Sequence, residues 1–154
     1  MKPQLQSYKH DPENGVYGDC HRTAIACILH MDKELVPNFG EHYDDHAAFK
    51  RAEEEFLRSV GLAAFEVPFD GSMDAVLNVV GHLNPGMYYL FSGKSKRGFN
   101  HTTVGLGNKI VWDPASGEEH SIIGPCDSPE GQGYYWVTVL VPMEHTSKWE
   151  PKDG

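Results

Sequence analysis

The sequence predicts an α+β fold in which N-terminal helices pack on a mainly antiparallel sheet. Three observations carry this reading. Two segments of the first half repeat apolar residues at helical spacing, short β-branched and aromatic runs fill the second half, and a Gly107-Asn108 turn joins two of those runs into a hairpin. The length, 154 residues, suits one domain over residues 1–154 with a sizeable core and surface left for a cleft.

Residues 1–17 mix Lys, Gln, Pro, Asn and Gly without a period, which predicts an irregular arm with turns at Asp11-Pro12 and Asn14-Gly15. The arm runs into Gly18-Asp19-Cys20, where a turn becomes a helix. Ala24, Cys27, Ile28 and Met31 repeat at helical spacing, and Ile25 and Leu29 widen the stripe, so this helix is expected deep in the core with Asp19 as its N-cap. Asp32 to Leu35 reads as a short helical turn. From Asp45 to Val60, Phe49, Ala52, Phe56, Leu57 and Val60 form one face, while Lys50, Arg51, Glu53, Glu54 and Glu55 are assigned to the solvated face. Gly61 ends that helix and Leu62 to Pro68 reads as a strand. Ser72 caps a further helix through Val80, and Asn84-Pro85-Gly86 stops it. Met87 to Phe91 is a strand, Ser92 to Gly98 a polar loop, and His101 to Leu106 with Lys109 to Asp113 the hairpin. A short strand is expected over Glu118 to Ile122, a loop over Gly124 to Gly133, a final strand over Tyr134 to Val141, and a flexible tail over residues 143–154.

Thirteen Lys plus Arg against 22 Asp plus Glu give a net charge of −9, which argues against sequence-independent nucleic-acid binding and adsorption to anionic lipid. No apolar run is long enough to span a membrane and no apolar signal core opens the chain, so a cytoplasmic location is expected. Cys20, Cys27 and Cys126 are odd in number and include no CxxC pair. They fit a thiol role or burial better than a disulfide framework or a cysteine-rich zinc site.

Cys20 stands at about the first helical position, where unpaired N–H groups and the positive end of the helix dipole favour a thiolate. A nucleophile there needs an imidazole in reach and a group to orient it. His101 enters the first strand of the hairpin and Asp113 leaves the second, so folding the hairpin brings both to one end. Cys20, His101 and Asp113 are therefore the candidate catalytic set. Taken singly, each also has a structural reading: a small core thiol, a satisfied histidine and an Asx turn before Pro114.

Gly18-Asp19-Cys20 with the Thr23-Ala24-Ile25-Ala26 helix, and His101-Thr-Thr-Val-Gly-Leu-Gly with Ile110-Val111-Trp112-Asp113-Pro114, resemble the two signature blocks of the C39-like branch of the papain-like cysteine peptidases. The resemblance covers most of the chain in order, and its specificity rests on those two blocks. It implies a papain-like α+β fold, Cys20 as nucleophile, His101 as base and acid, and Asp113 as the orienting residue. Members of that family place a glutamine a few residues before the cysteine to complete the oxyanion hole. Here Asn14 lies six positions before Cys20, with Gln6 as the alternative farther upstream. His21 stands where the family commonly has glycine, and is expected to narrow the cleft or add a polar contact to substrate. The family's leader peptidases are attached to transporters, and this chain carries no membrane-spanning or ATP-binding region, so that role is not carried over.

Lys94, Lys96 and Arg97 precede His101 in an acidic protein and are expected to attract an acidic substrate group to the cleft rim. Trp112 is a further candidate for substrate contact, as a pocket wall or as core. No metal or other cofactor is expected: His42 and His46 are four apart, but there is no HExxH, and the candidate catalytic set makes an incomplete zinc site. The expected activity is hydrolysis of a peptide, protein or small amide through an acyl-enzyme. The alternatives are a deamidase or amidotransferase using the same nucleophile, and an inactive papain-like binding or inhibitory protein.

Overall fold

The computed structural model describes residues 1–129 and 131–143. Among these, three α-helices surround a six-stranded sheet whose pairings are all antiparallel. The helices are α1 (Cys20–Ile28), α2 (His46–Ser59) and α3 (Met73–Leu83). The strands are β1 (Leu62–Phe69), β2 (Tyr88–Ser95), β3 (Asn100–Leu106), β4 (Lys109–Trp112), β5 (Ile122–Gly124) and β6 (Tyr135–Pro142), in the order β1-β6-β2-β3-β4 with β5 beside the end of β2.

Alternation along the strands divides the core between two faces. Leu90 and Val104, which pair across β2 and β3, meet Ile25, Ala24, Phe39 and Leu57, so α1 and α2 cover one face. Tyr89, Phe91, Tyr135 and Val137 turn the other way, onto Val76, Leu77 and Val80 of α3. The caps of α2 and α3 are made as sequence dictates: Asp45 accepts the N–H of Ala48 at 3.0 Å, and Ser72 that of Ala75 at 3.2 Å. Gly105 has a steric reason. A Cβ there would stand 2.2 Å from the ring of Tyr89, whose hydroxyl donates to Gly107 O at 2.7 Å.

Three expectations are corrected. The polar loop over Ser92 to Gly98 is strand as far as Ser95, because its alternation hides small residues: a Cβ on Gly93 would meet Gly124 O and Ile122 Cγ2, both at 2.7 Å. The short strand lies at Ile122–Gly124, C-terminal to the expected Glu118 to Ile122, where it pairs with Lys94 and Ser95. The acidic run of α2 is not wholly solvated. Glu53 is 1% exposed, since it sits four residues from both Phe49 and Leu57 on the buried stripe. The tail expected over 143–154 opens with Met143, whose N–H donates to Gly61 O at 2.9 Å; residues 144–154 lie outside the described residues.

The arm is irregular but pinned along its length. Gln4 donates to Met31 O at 2.8 Å and accepts from Lys33 N at 3.0 Å, at the far end of α1. Gln6 N donates to Pro114 O at 2.7 Å, just beyond β4. Residues 11–16 close on themselves through an Asp11–Val16 bridge and a 3-10 turn, leaving residues 7–10 beside residues 18–19.

Candidate active site

The turn before α1 is too crowded for a side chain at Gly18, whose Cβ would stand 2.9 Å from that of His10. Asp19 follows it and does not cap the helix, contrary to expectation. Its backbone (φ −114°, ψ 26°) is not in the extended conformation of a capping residue, and its buried carboxylate turns to the arm instead. There it accepts the N–H groups of Tyr8 at 2.8 Å and Ser7 at 3.2 Å, with Arg22 Nε at 3.1 Å. The residue preceding the thiol is thereby held by both the arm and α1.

Cys20 opens α1, part-buried, and α1 packs against β3. β4 ends at Trp112 and leaves the start of β3 without a ladder partner on that side, and the Thr102 backbone there helps to lower the pKa of the sulfur. His101 acts on the sulfur as well, through its charge and hydrogen-bonding side chain. His101 Nε2 lies 2.6 Å from Asp113 Oδ1, which leaves Nδ1 for the thiol. Continuing the Val104–Trp112 register by one residue sets Asp113 opposite Thr103, on the strand face that His101 shares. The hairpin therefore brings the two together as its sequence spacing implied.

Asp113 is fully buried and has no spare acceptor direction. Besides His101 it receives Ala115 N at 2.8 Å, Ser121 N at 2.7 Å and Ser121 Oγ at 2.7 Å. Burial opposes its charge, but the bond and charge of His101 and the Ser121 donors outweigh it, and the carboxyl is held far below its ordinary range. Burial likewise opposes the charge on His101. The sulfur's charge and the Asp113 bond prevail, raising the imidazole to about 10. Cys20 moves the other way: burial is outweighed by the charge and hydrogen bond of His101, the Thr102 N–H and the charge of His21, so its pKa falls. The other cysteines rise through burial, Cys126 to about 12. The site thus favours a thiolate–imidazolium pair at Cys20 alone.

His21 does not face a cleft. Its Nε2 lies 2.6 Å from Glu53 Oε2 and its Nδ1 3.0 Å from Thr102 Oγ1, because α1 turns this residue toward α2 and the sheet. Asn14 is exposed in the 3-10 turn, where its amide donates to Asp11 at 2.8 Å. Gln6 lies between the neighbours of the catalytic set, its backbone on Pro114 O, its Nε2 on Tyr8 O at 2.5 Å and its Oε1 buried without a partner. Trp112 is drawn into packing: its indole donates to Gln4 O at 2.7 Å and its ring joins the α1 core.

The basic residues are largely engaged. Lys94 pairs with Asp127 at 3.1 Å, Arg97 donates to His10 O at 2.9 Å and lies over the Phe99 ring, and Lys96 is exposed with its N–H on Ser121 O. Among the described residues no group of three or more His, Cys, Asp or Glu side chains is arranged to hold a metal ion. No described helix is long and apolar enough to cross a membrane.

Sequence reasoning missed Glu53, Thr102 and Ser121. The i, i+4 spacing Phe49-Glu53-Leu57 was a usable signal for the first, whereas nothing local marks Ser121 as a partner of Asp113. Compared with known proteins, the chain matches no family model, no curated protein and no solved structure.

Proposed function

We propose that this protein is a papain-like cysteine hydrolase of the C39-like branch, cleaving a peptide or other amide bond through an acyl-enzyme on Cys20. The observation that carries the reading is the buried 2.6 Å His101–Asp113 bond at the end of the hairpin, with His101 acting to lower the pKa of Cys20 at the start of α1.

Each step follows from that series. The Cys20 thiolate attacks the amide carbonyl carbon, forming the C–S bond as the C=O electron pair moves to oxygen. The Cys20 N–H, at the start of α1 where no helical carbonyl is in reach, stabilises that oxyanion. Gln6 is assigned as the second donor, because its arm passes between Asp19 and Pro114 and its Nε2 keeps one N–H beyond the Tyr8 bond. His101 gives its proton to the leaving amine as the C–N bond breaks. It then takes a proton from water, whose oxygen bonds the acyl carbon while the C–S electron pair returns to sulfur. Asp113 remains ionised throughout and fixes the ring. Deamidation shares the first step and differs only in the substrate amide.

The test is intact-mass analysis after exposure to electrophilic amide, ester and peptide probes. An acyl adduct on Cys20 is expected, absent from Cys20→Ala and lost again on standing in the wild type. Adducts confined to Cys27 or Cys126 would overturn the proposal.

A further inference from the structure

A second imidazole, that of the next residue along α1, acts electrostatically on the same sulfur. Successive residues of β3 face opposite sides of the sheet, so His101 turns to one face with Asp113 while Thr102 turns to the other. On that second face Thr102 Oγ1 meets His21 Nδ1 at 3.0 Å and Ser92 Oγ at 3.1 Å. His21 Nε2 meets Glu53 Oε2 at 2.6 Å, a bond reaching from α1 to α2. Glu53 is buried beneath it, and its other oxygen accepts from Lys50 at 3.2 Å; Lys50 in turn reaches Glu66 of β1 at 2.7 Å. The rings of Phe39 and Phe49 pack near the imidazole, with centroids 6.0 and 5.2 Å away.

We propose that His21, kept as an imidazolium by the Glu53 carboxylate, is a positioning residue that presents a second, permanent positive charge to the Cys20 thiolate across the edge of β3. This deepens the hydrolase reading and rests on it. The charged groups facing His21 are Cys20 from its own helix, Glu53 and Lys50 from α2, and, beyond Lys50, Glu66 from β1. Their balance favours the imidazolium: the Glu53 bond and charge and the sulfur outweigh burial and Lys50, raising the His21 pKa. Glu53, bonded to His21 and Lys50, is correspondingly held at about 2.

Such a charge has a task His101 cannot perform. His101 must give up its proton to the leaving amine, and it is neutral when water attacks the acyl-enzyme. His21 does not take part in that transfer, since both its nitrogens are held by Thr102 and Glu53. Its charge stays when the C–S electron pair returns to sulfur, making the thiolate a better leaving group.

The experiment is the pH dependence of Cys20 alkylation by iodoacetamide, with the labelled cysteine mapped by mass, in wild type, His21→Gln, Glu53→Gln and the double variant carrying both. Gln at position 21 retains a hydrogen-bonding group without charge. Removing the positive charge destabilises the thiolate, so the acid limb of the profile is expected to move up by about one pH unit in His21→Gln. A smaller upward shift is expected in Glu53→Gln, and none beyond the His21→Gln value in the double variant. Folded variants whose profiles superimpose on wild type would overturn the inference while leaving the hydrolase reading intact. A wild-type Cys20 that titrates as an ordinary thiol would overturn both. Where the variants do not fold, nitrogen-detected NMR of the wild-type imidazoles decides: His21 protonated on both nitrogens at neutral pH supports the inference, and a neutral His21 beside a thiolate overturns it.

Discussion

Two histidine–carboxylate pairs with the same 2.6 Å separation act on one sulfur, and they are built in opposite ways. Asp113 is fixed by its own chain: Ala115 N and Ser121 N close the loop around it, so the carboxylate that holds His101 is set by local turn geometry. Glu53 comes from another helix, has Lys50 as its other side-chain partner, and meets His21 32 residues away only after α1, α2 and the sheet have packed. The first pair leaves an imidazole nitrogen for the thiol and can move a proton. In the second, both nitrogens are occupied, which suits a fixed charge. In the proposed hydrolase, chemistry at the sulfur falls to the hairpin, and its electrostatic setting in part to helix packing.

Substitutions separate the two pairs. Cys20→Ala is expected to abolish turnover of a chromogenic amide while leaving the circular dichroism spectrum intact, since the side chain is small. His101→Ala follows, with kcat/KM reduced on the order of 10³-fold by loss of both thiolate activation and proton transfer to the amine. Gln6→Ala is expected to cost roughly 10²-fold, mainly in kcat, as for loss of one oxyanion donor. Asn14→Ala should leave the kinetics unchanged; the reverse order would return that role to Asn14. Asp113→Asn is milder, on the order of tenfold, because an amide still orients the ring of a pre-formed ion pair.

The pairs also differ in how they link stability to pH. The Glu53 carboxyl is depressed on folding to about 2, so its contribution is present above the ordinary carboxylate range and is lost as pH falls toward about 2. His101 is raised to about 10, so its contribution is complete below the ordinary histidine value and is lost as pH rises toward about 10. Thermal unfolding across pH should therefore show Glu53→Gln flattening the acid side and His101→Gln the alkaline side. An unchanged acid side in a folded Glu53→Gln protein would contradict the buried pairing.

This contrast also explains what the sequence disclosed. The α+β class, the buried stripe of α1 and the meeting of His101 with Asp113 follow from short-range patterns: helical spacing, a Gly-Asn turn and strand register. Glu53 was obscured by composition, because Lys50, Arg51, Glu54 and Glu55 surround it and resemble one solvated face. Asp19 showed the same limit. A residue well suited to capping was claimed by N–H groups eleven and twelve positions upstream, in an arm whose course has no periodic signature. Strand β2 ran past its apolar residues because Gly93 and Ser95 are small enough to be buried without being hydrophobic.

Competitive alkylation of Cys20, Cys27 and Cys126 with site mapping by mass measures directly which thiol is ionised in the native protein. Label confined to Cys20 at and below neutral pH, and lost from that pH range in His101→Ala, is the expected result. Equal labelling of the three cysteines in the folded protein, or labelling of Cys20 only under alkaline conditions, would contradict the account.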